Sequence, residues 1–223
     1  MLLAMWIPGL NLGVLLYAMR IVHGEYDFAC YKESVRQVRA QSQICSTRYP
    51  LLLVHGVGFR DLRYFNYWGR IPRELARYGA DIYYGNQEAF ATVAYNAGDI
   101  YRKIQEICRE TGCEKVNIIA HSKGGLDSRY AISRLGAAPM VASLTTIEYA
   151  SPGLPVRGLR VQAADGLYRA IAGVFDLWFG RFGDSHPDFY TATHQFSTRA
   201  SICFNEEVAD APGVYYQSYA SVM

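Results

Sequence analysis

Residues 115–136, KVNIIAHSKGGLDSRYAISRLG, constrain the fold more than any other stretch of the chain. A strand-length apolar run, KVNIIAHS, passes straight into a helical pattern that closes at Gly136. The chain must therefore turn tightly at Ser122, between the strand and the helix. The same alternation recurs on both sides. YPLLLVHGVGF is a buried strand opening into a loop, and YWGRIPRELARYGA a helix with Pro72 at its start and Gly79 at its end. DIYYGNQ is a second short strand. AYNAGDIYRKIQEICRETG is a helix with Ile100, Ile104, Ile107 and Cys108 on one face, closed by Gly112. VASLTTIEYAS is a fourth strand after KVNIIAHS, and GVYYQSYASVM reads as one more. Strands alternating with helices predict an α/β fold, a mostly parallel sheet covered by helices on both faces. Functional loops then lie at the carboxyl ends of the strands.

Composition narrows the function classes. A chain of 223 residues, 51% apolar, is one globular domain, and a net charge of +2 argues against a nucleic-acid binder. Three regions are expected: an apolar N-terminal segment over 1–24, a polar and partly helical linker over 25–48, and the α/β domain over 49–223 with a helical cap at about 153–200. The first carries no charged side chain before Arg20 and is read as a membrane anchor or uncleaved signal. The expected location is therefore membrane-anchored or secreted, with cytoplasmic placement disfavoured. The five cysteines show no zinc-type spacing, so no metal site is expected. Cys108 and Cys113 flank the end of a helix, where their spacing suits either packing or a local disulfide.

The corner carries the chemistry. A serine hydroxyl is a weak nucleophile until a base takes its proton, and a strand-to-helix turn lifts its Oγ to a helix N-terminus that favours developing negative charge. Such a turn needs small neighbours. Gly124 stands two residues after Ser122, and Ala120 two before it, where one methyl is tolerable. The bland alternative is a serine that merely caps a helix. The loop HGVG supplies the complementary half: Gly56 and Gly58 let backbone approach closely, and Val57 N–H with Lys123 N–H would form an oxyanion hole. His55 is either a loop brace or a base, the brace being preferred.

YPLLLVHGVGF, YWGRIPRELARYGADIYYGNQ, EKVNIIAHSKGGLDSRYAISRLG and VASLTTI, in this order, resemble the bacterial triacylglycerol lipase family of the α/β-hydrolase fold, similar to those of Pseudomonas and Burkholderia. The resemblance runs from about Tyr49 to Ile147 and resumes near CFNEEVADAPGVYYQSYAS. It implies a serine ester hydrolase acting on lipid esters, with Ser122 the nucleophile, Val57 and Lys123 the oxyanion hole and His121 the variable elbow residue. YASPGLPVRG departs from the family's segment after the fourth strand. In the family the catalytic acid, the histidine and a calcium site follow the Tyr-Tyr strand, so on this reading the chain is a C-terminally incomplete copy, without cofactor residues and inactive alone. DSHPD at 184–188 offers a substitute acid-base pair but is expected to be a solvated loop. Leu167 to Phe179 is expected to form a lid helix. The contrasting reading is a non-catalytic, membrane-attached binding module that has kept the hydrolase shell. Oligomeric state is not legible.

Overall fold

The computed structural model describes residues 10–58, 66–147, 165–181, 183–195 and 198–220, and the fold is built from these. Five strands, β1 Leu51–Val54, β2 Ile82–Tyr84, β3 Val116–His121, β4 Val141–Ile147 and β5 Tyr215–Tyr219, form one sheet in the order β2-β1-β3-β4-β5. Every pairing is parallel. The expected fold class and the last expected strand are therefore present. All four residues of β1 are buried, which a strand covered on both faces requires and which explains the unbroken LLLV. Across the sheet Val54 sits beside Ala120, and Ala120 beside Thr146.

Helices α2 Ile71–Arg77, α3 Val93–Thr111 and α4 Lys123–Arg134 connect the strands. Pro72 lies buried in the first turn of α2, and Gly79, at φ +97°, turns the chain beyond its end. In α3 the Thr92 side chain accepts from Tyr95 N–H at the start and left-handed Gly112 stops the helix. Its expected apolar face holds: Ile100, Ile104 and Ile107 are fully buried in the core against Ile118, Ile132 and Leu144, while Cys108 is half-buried. Full burial of each isoleucine contributes roughly 1.5–3 kcal/mol.

One helix, α1 Leu10–Ser42, runs unbroken through the division expected at residue 24 and takes in most of the expected linker. None of its residues is buried. It touches the domain near its C-terminal end, where Arg36 meets Glu74 at 3.6 Å and Cys45 N–H donates to Tyr78 O at 2.9 Å. No helix among the described residues is long and apolar enough to cross a membrane. Residues 1–9 of the expected anchor lie outside the described residues, as does YASPGLPVRG.

The cap contains α5 Asp165–Arg181 and α6 Phe189–His194, and α7 Thr198–Glu207 leads toward β5. The helix expected over 167–179 is present. Phe175 stacks on Phe189 with ring centres 4.7 Å apart, and Phe179 lies 4.3 Å from Phe90 in the loop after β2. The Asp176 carboxylate accepts from Phe189 N–H, fixing α6 against α5.

Candidate active site

Chain order leaves β1 toward β2 on one side and, through α3, returns to β3 on the other. Strand order therefore reverses between β1 and β3, the place where a crevice opens at the carboxyl ends of a parallel sheet. Ser122 ends β3 and His55–Gly58 ends β1, so the two halves of the expected site meet at that reversal.

Ser122 has φ +49° and ψ −121°. A non-glycine residue held there stores roughly 1–3 kcal/mol of strain, which the surrounding structure must overdetermine. Ser122 N–H donates to Ile147 O at 3.0 Å, and Gly125 N–H donates to Ser122 O at 3.0 Å, so β4 and α4 clamp the corner from both sides. The Ser122 side chain does not cap α4. The bland alternative of a capping serine is thereby removed, since capping needs the hydroxyl oxygen on a backbone N–H of the first turn.

At Gly124 and Gly56 a Cβ would collide with its surroundings. A Cβ on Gly124 would lie 2.5 Å from His55 O and 2.7 Å from Val54 O, because α4 presses directly onto the end of β1. A Cβ on Gly56 would lie 2.8 Å from Tyr67 Oη and 3.2 Å from Ser122 Cβ, so the loop that carries Val57 is packed against the serine. Gly58 has open space but φ +93°, and its N–H donates to Ala89 O. Ala120 is fully buried in the core cluster, where its methyl is accommodated.

His55 is a brace. It is fully buried, with Nδ1 2.7 Å from Gly56 O and Nε2 3.0 Å from Gln87 O, while Gln87 Nε2 donates to His55 O at 2.7 Å. Both ring nitrogens thus face backbone carbonyls, and the β1 and β2 loops are tied together. His121 is half-buried, and its Nδ1 lies 2.5 Å from Tyr67 Oη. Tyr67 is a contact that sequence reading missed. It lies 54 residues from His121 in the chain, and no motif marks it.

Lys123 carries more than a backbone N–H. Its side chain is buried, and Nζ meets both Asp127 oxygens at 2.8 and 3.0 Å. Asn96 Nδ2 donates to Asp127 Oδ2 and to Glu88 O. Burial pushes the Asp127 carboxyl up to about 6, against the downward pull of Lys123 and Asn96. The i,i+4 spacing of Lys123 and Asp127 was the available signal. Their burial was not, because charged residues at that spacing are usually solvated.

DSHPD is exposed at Ser185 and His186, as a solvated loop would be, but it is anchored at its first residue. Asp184 is buried and accepts from Ala89 and Phe90 N–H, while the buried Glu88 accepts from Ser185 and His186 N–H. Two carboxylates thus lock the cap to the loop after β2. Asp188 caps α6 through Thr191 N–H. The His186 ring packs on Tyr95, and His194 Nδ1 lies 2.9 Å from Tyr190 O. Among the described residues no group of three His, Cys, Asp or Glu is placed to hold a metal ion.

A parallel sheet with a strained serine corner at its reversal point, faced by a glycine loop from the neighbouring strand, is the arrangement of the α/β-hydrolase fold. Solved structures agree at the level of fold. A Bacillus licheniformis lipase in its propeptide form matches with a TM-score of 0.61 at 19% identity, over 78% of this chain and 36% of that one. The mature form of that lipase gives 0.55 at 21% identity, over 76% and 64%. In sequence, a triacylglycerol lipase of Vibrio cholerae is 31% identical over 179 residues, which is 75% of this chain and 56% of the relative. One from Burkholderia plantarii is 36% identical over 124 residues, covering 53% and 33%. No family model matches the chain. The chain has the α/β-hydrolase fold and is similar in sequence to bacterial triacylglycerol lipases over three quarters of its length. It spans about half or less of the length of these curated relatives.

Proposed function

We propose that this chain carries the nucleophile half of a serine carboxylic-ester hydrolase whose substrates are lipid esters, triacylglycerols first among them. The observation that carries the reading is the backbone of Ser122, held at φ +49° with its side chain not capping the helix it begins. Ser122 Oγ attacks the ester carbonyl, and the oxyanion is received by Val57 and Lys123 N–H. The alcohol leaves with a proton, and water then releases the acid from the acyl-enzyme. The activating histidine and its acid are assigned to sequence following β5, where the resemblance places them, and both His55 ring nitrogens face backbone carbonyls. The names of the relatives support the substrate class. The apolar N-terminal stretch supports attachment to a membrane or secretion.

Two measurements separate this from the alternatives. A full-length lipase relative is expected to turn over a chromogenic butyrate ester and to lose that activity when the serine aligned with Ser122 is replaced by alanine. The purified 223-residue chain is expected to retain at most the roughly 10³–10⁴-fold over water that an oxyanion hole and binding supply. Strong turnover by the short chain that disappears in His186→Ala would place the base within the cap and overturn the assignment.

A further inference from the structure

We propose that Cys108 and Cys113 are a modification site, a dithiol that closes to a disulfide in an oxidising compartment and staples the end of α3 to the approach of β3. The inference stands apart from the hydrolase reading and rests on the placement of the two sulfurs. Among the described residues these are the cysteines whose sulfurs approach each other, at 3.9 Å. Cys30 and Cys203 are exposed, and Cys45 lies at the turn after α1.

Local structure builds the pair. Gly112, at φ +69°, reverses the chain at the end of α3. Thr111 Oγ1 donates to Ile107 O at 2.7 Å and accepts from Cys113 N–H at 3.3 Å, drawing Cys113 back over the turn that carries Cys108. Both thiols are half-buried and pack on the core with Tyr83 of β2. A disulfide needs sulfurs about 2.05 Å apart, so closure asks for a contraction of about 2 Å, within reach of side-chain rotation. Three residues after Cys113 begins β3, the strand that delivers Ser122.

The oxidant is a small disulfide such as oxidised glutathione. Cys113 loses its proton to solvent and attacks one glutathione sulfur, and the other leaves as thiolate and takes up a proton. Cys108 then loses its proton and attacks Cys113 Sγ, releasing the second glutathione. Two protein thiols are oxidised and one glutathione disulfide is reduced to two thiols. Burial and the neighbouring thiol push Cys108 up to about 11, so Cys108 is given the second, resolving step. The closing step therefore accelerates as pH rises toward that value.

The test uses the whole 223-residue chain in native buffer with reduced or oxidised glutathione, then alkylation and trypsin. Trypsin cuts at Arg109, so the site reports as IQEICR joined to ETGCEK. The joined peptides are expected in oxidised buffer, with both sulfurs alkylated in reduced buffer. Cys108→Ser is expected to leave Cys113 as a lasting glutathione adduct, and Cys113→Ser to leave Cys108 an alkylatable thiol. Circular dichroism confirms that each variant is folded. Both cysteines remaining alkylatable in oxidised buffer would overturn the proposal. So would a wild-type glutathione adduct that never resolves, or a bond from either cysteine to Cys45.

Discussion

At the residue scale, Gly124 and Gly58 separate two demands that a motif merges. Gly124→Ala sets a methyl 2.5 Å from a backbone carbonyl that α4 cannot avoid. It is expected to cost about 1–3 kcal/mol, the usual penalty for overpacking. Gly58→Ala meets no atom closer than 3.7 Å but must hold φ +93°, and the expected cost is about 1–2 kcal/mol. Urea unfolding midpoints of the two variants check the order. Asp127 makes a different prediction. Its folded pKa lies above its ordinary value of 3.8, so the native state binds the extra proton. The stability it contributes is full below pH 3.8 and is lost as pH rises toward about 6. Wild type should therefore lose stability relative to Asp127→Asn across that window, as read from denaturant midpoints against pH. Equal slopes would show that Lys123 keeps Asp127 ionised throughout. Asp127→Leu, which leaves Lys123 buried without its carboxylate, is expected to cost about 3–5 kcal/mol.

At the scale of elements, the cap is fixed by polar groups and stacked rings together. Glu88→Gln and Asp184→Asn each weaken charge-assisted bonds to two backbone N–H groups. The double variant should speed amide exchange across 183–195 while the β3 amides stay protected, since the core strands do not depend on that seam. Slowed or unchanged exchange in the cap would show that the rings alone hold it. Within α5, Phe175 stacks on Phe189 and Trp178 packs edge-on against Phe179, whereas Val174 and Leu177 are more exposed than either. In an intact enzyme, Val174→Ser with Leu177→Ser should reduce turnover of emulsified long-chain esters several-fold more than that of soluble short ones. Equal loss on both would sink a lid role for α5.

At the scale of the whole molecule, two surfaces lack cover among the described residues. β5 stands at the sheet edge with Tyr215 and Tyr219 exposed, and α1 exposes Leu12, Leu15, Leu16, Tyr17 and Val22. Open strand edges and apolar helices favour association. The 223-residue chain is expected to elute as concentration-dependent oligomers that mild detergent disperses. A monodisperse monomer without detergent, melting in one sharp transition, would contradict this.

By itself the sequence determined the strands, the helices that cover them and the serine corner, because these follow from local periodicity and from where glycine, proline and small residues fall. LLLV could bury both faces only inside a parallel sheet, and HSKGG could turn only sharply. Tertiary structure decided what pairs with what. Tyr67 with His121, Gln87 with His55, and Asp184 with the loop after β2 are separated by 54, 32 and at least 94 residues. No period or spacing encodes such contacts. The same holds for Lys123 and Asp127, whose spacing was legible and whose burial was not: α3 supplies Asn96 and the packing that remove water from them. Local chemistry sets where the chain turns, and only the packed sheet decides which polar groups lose their water and must find one another.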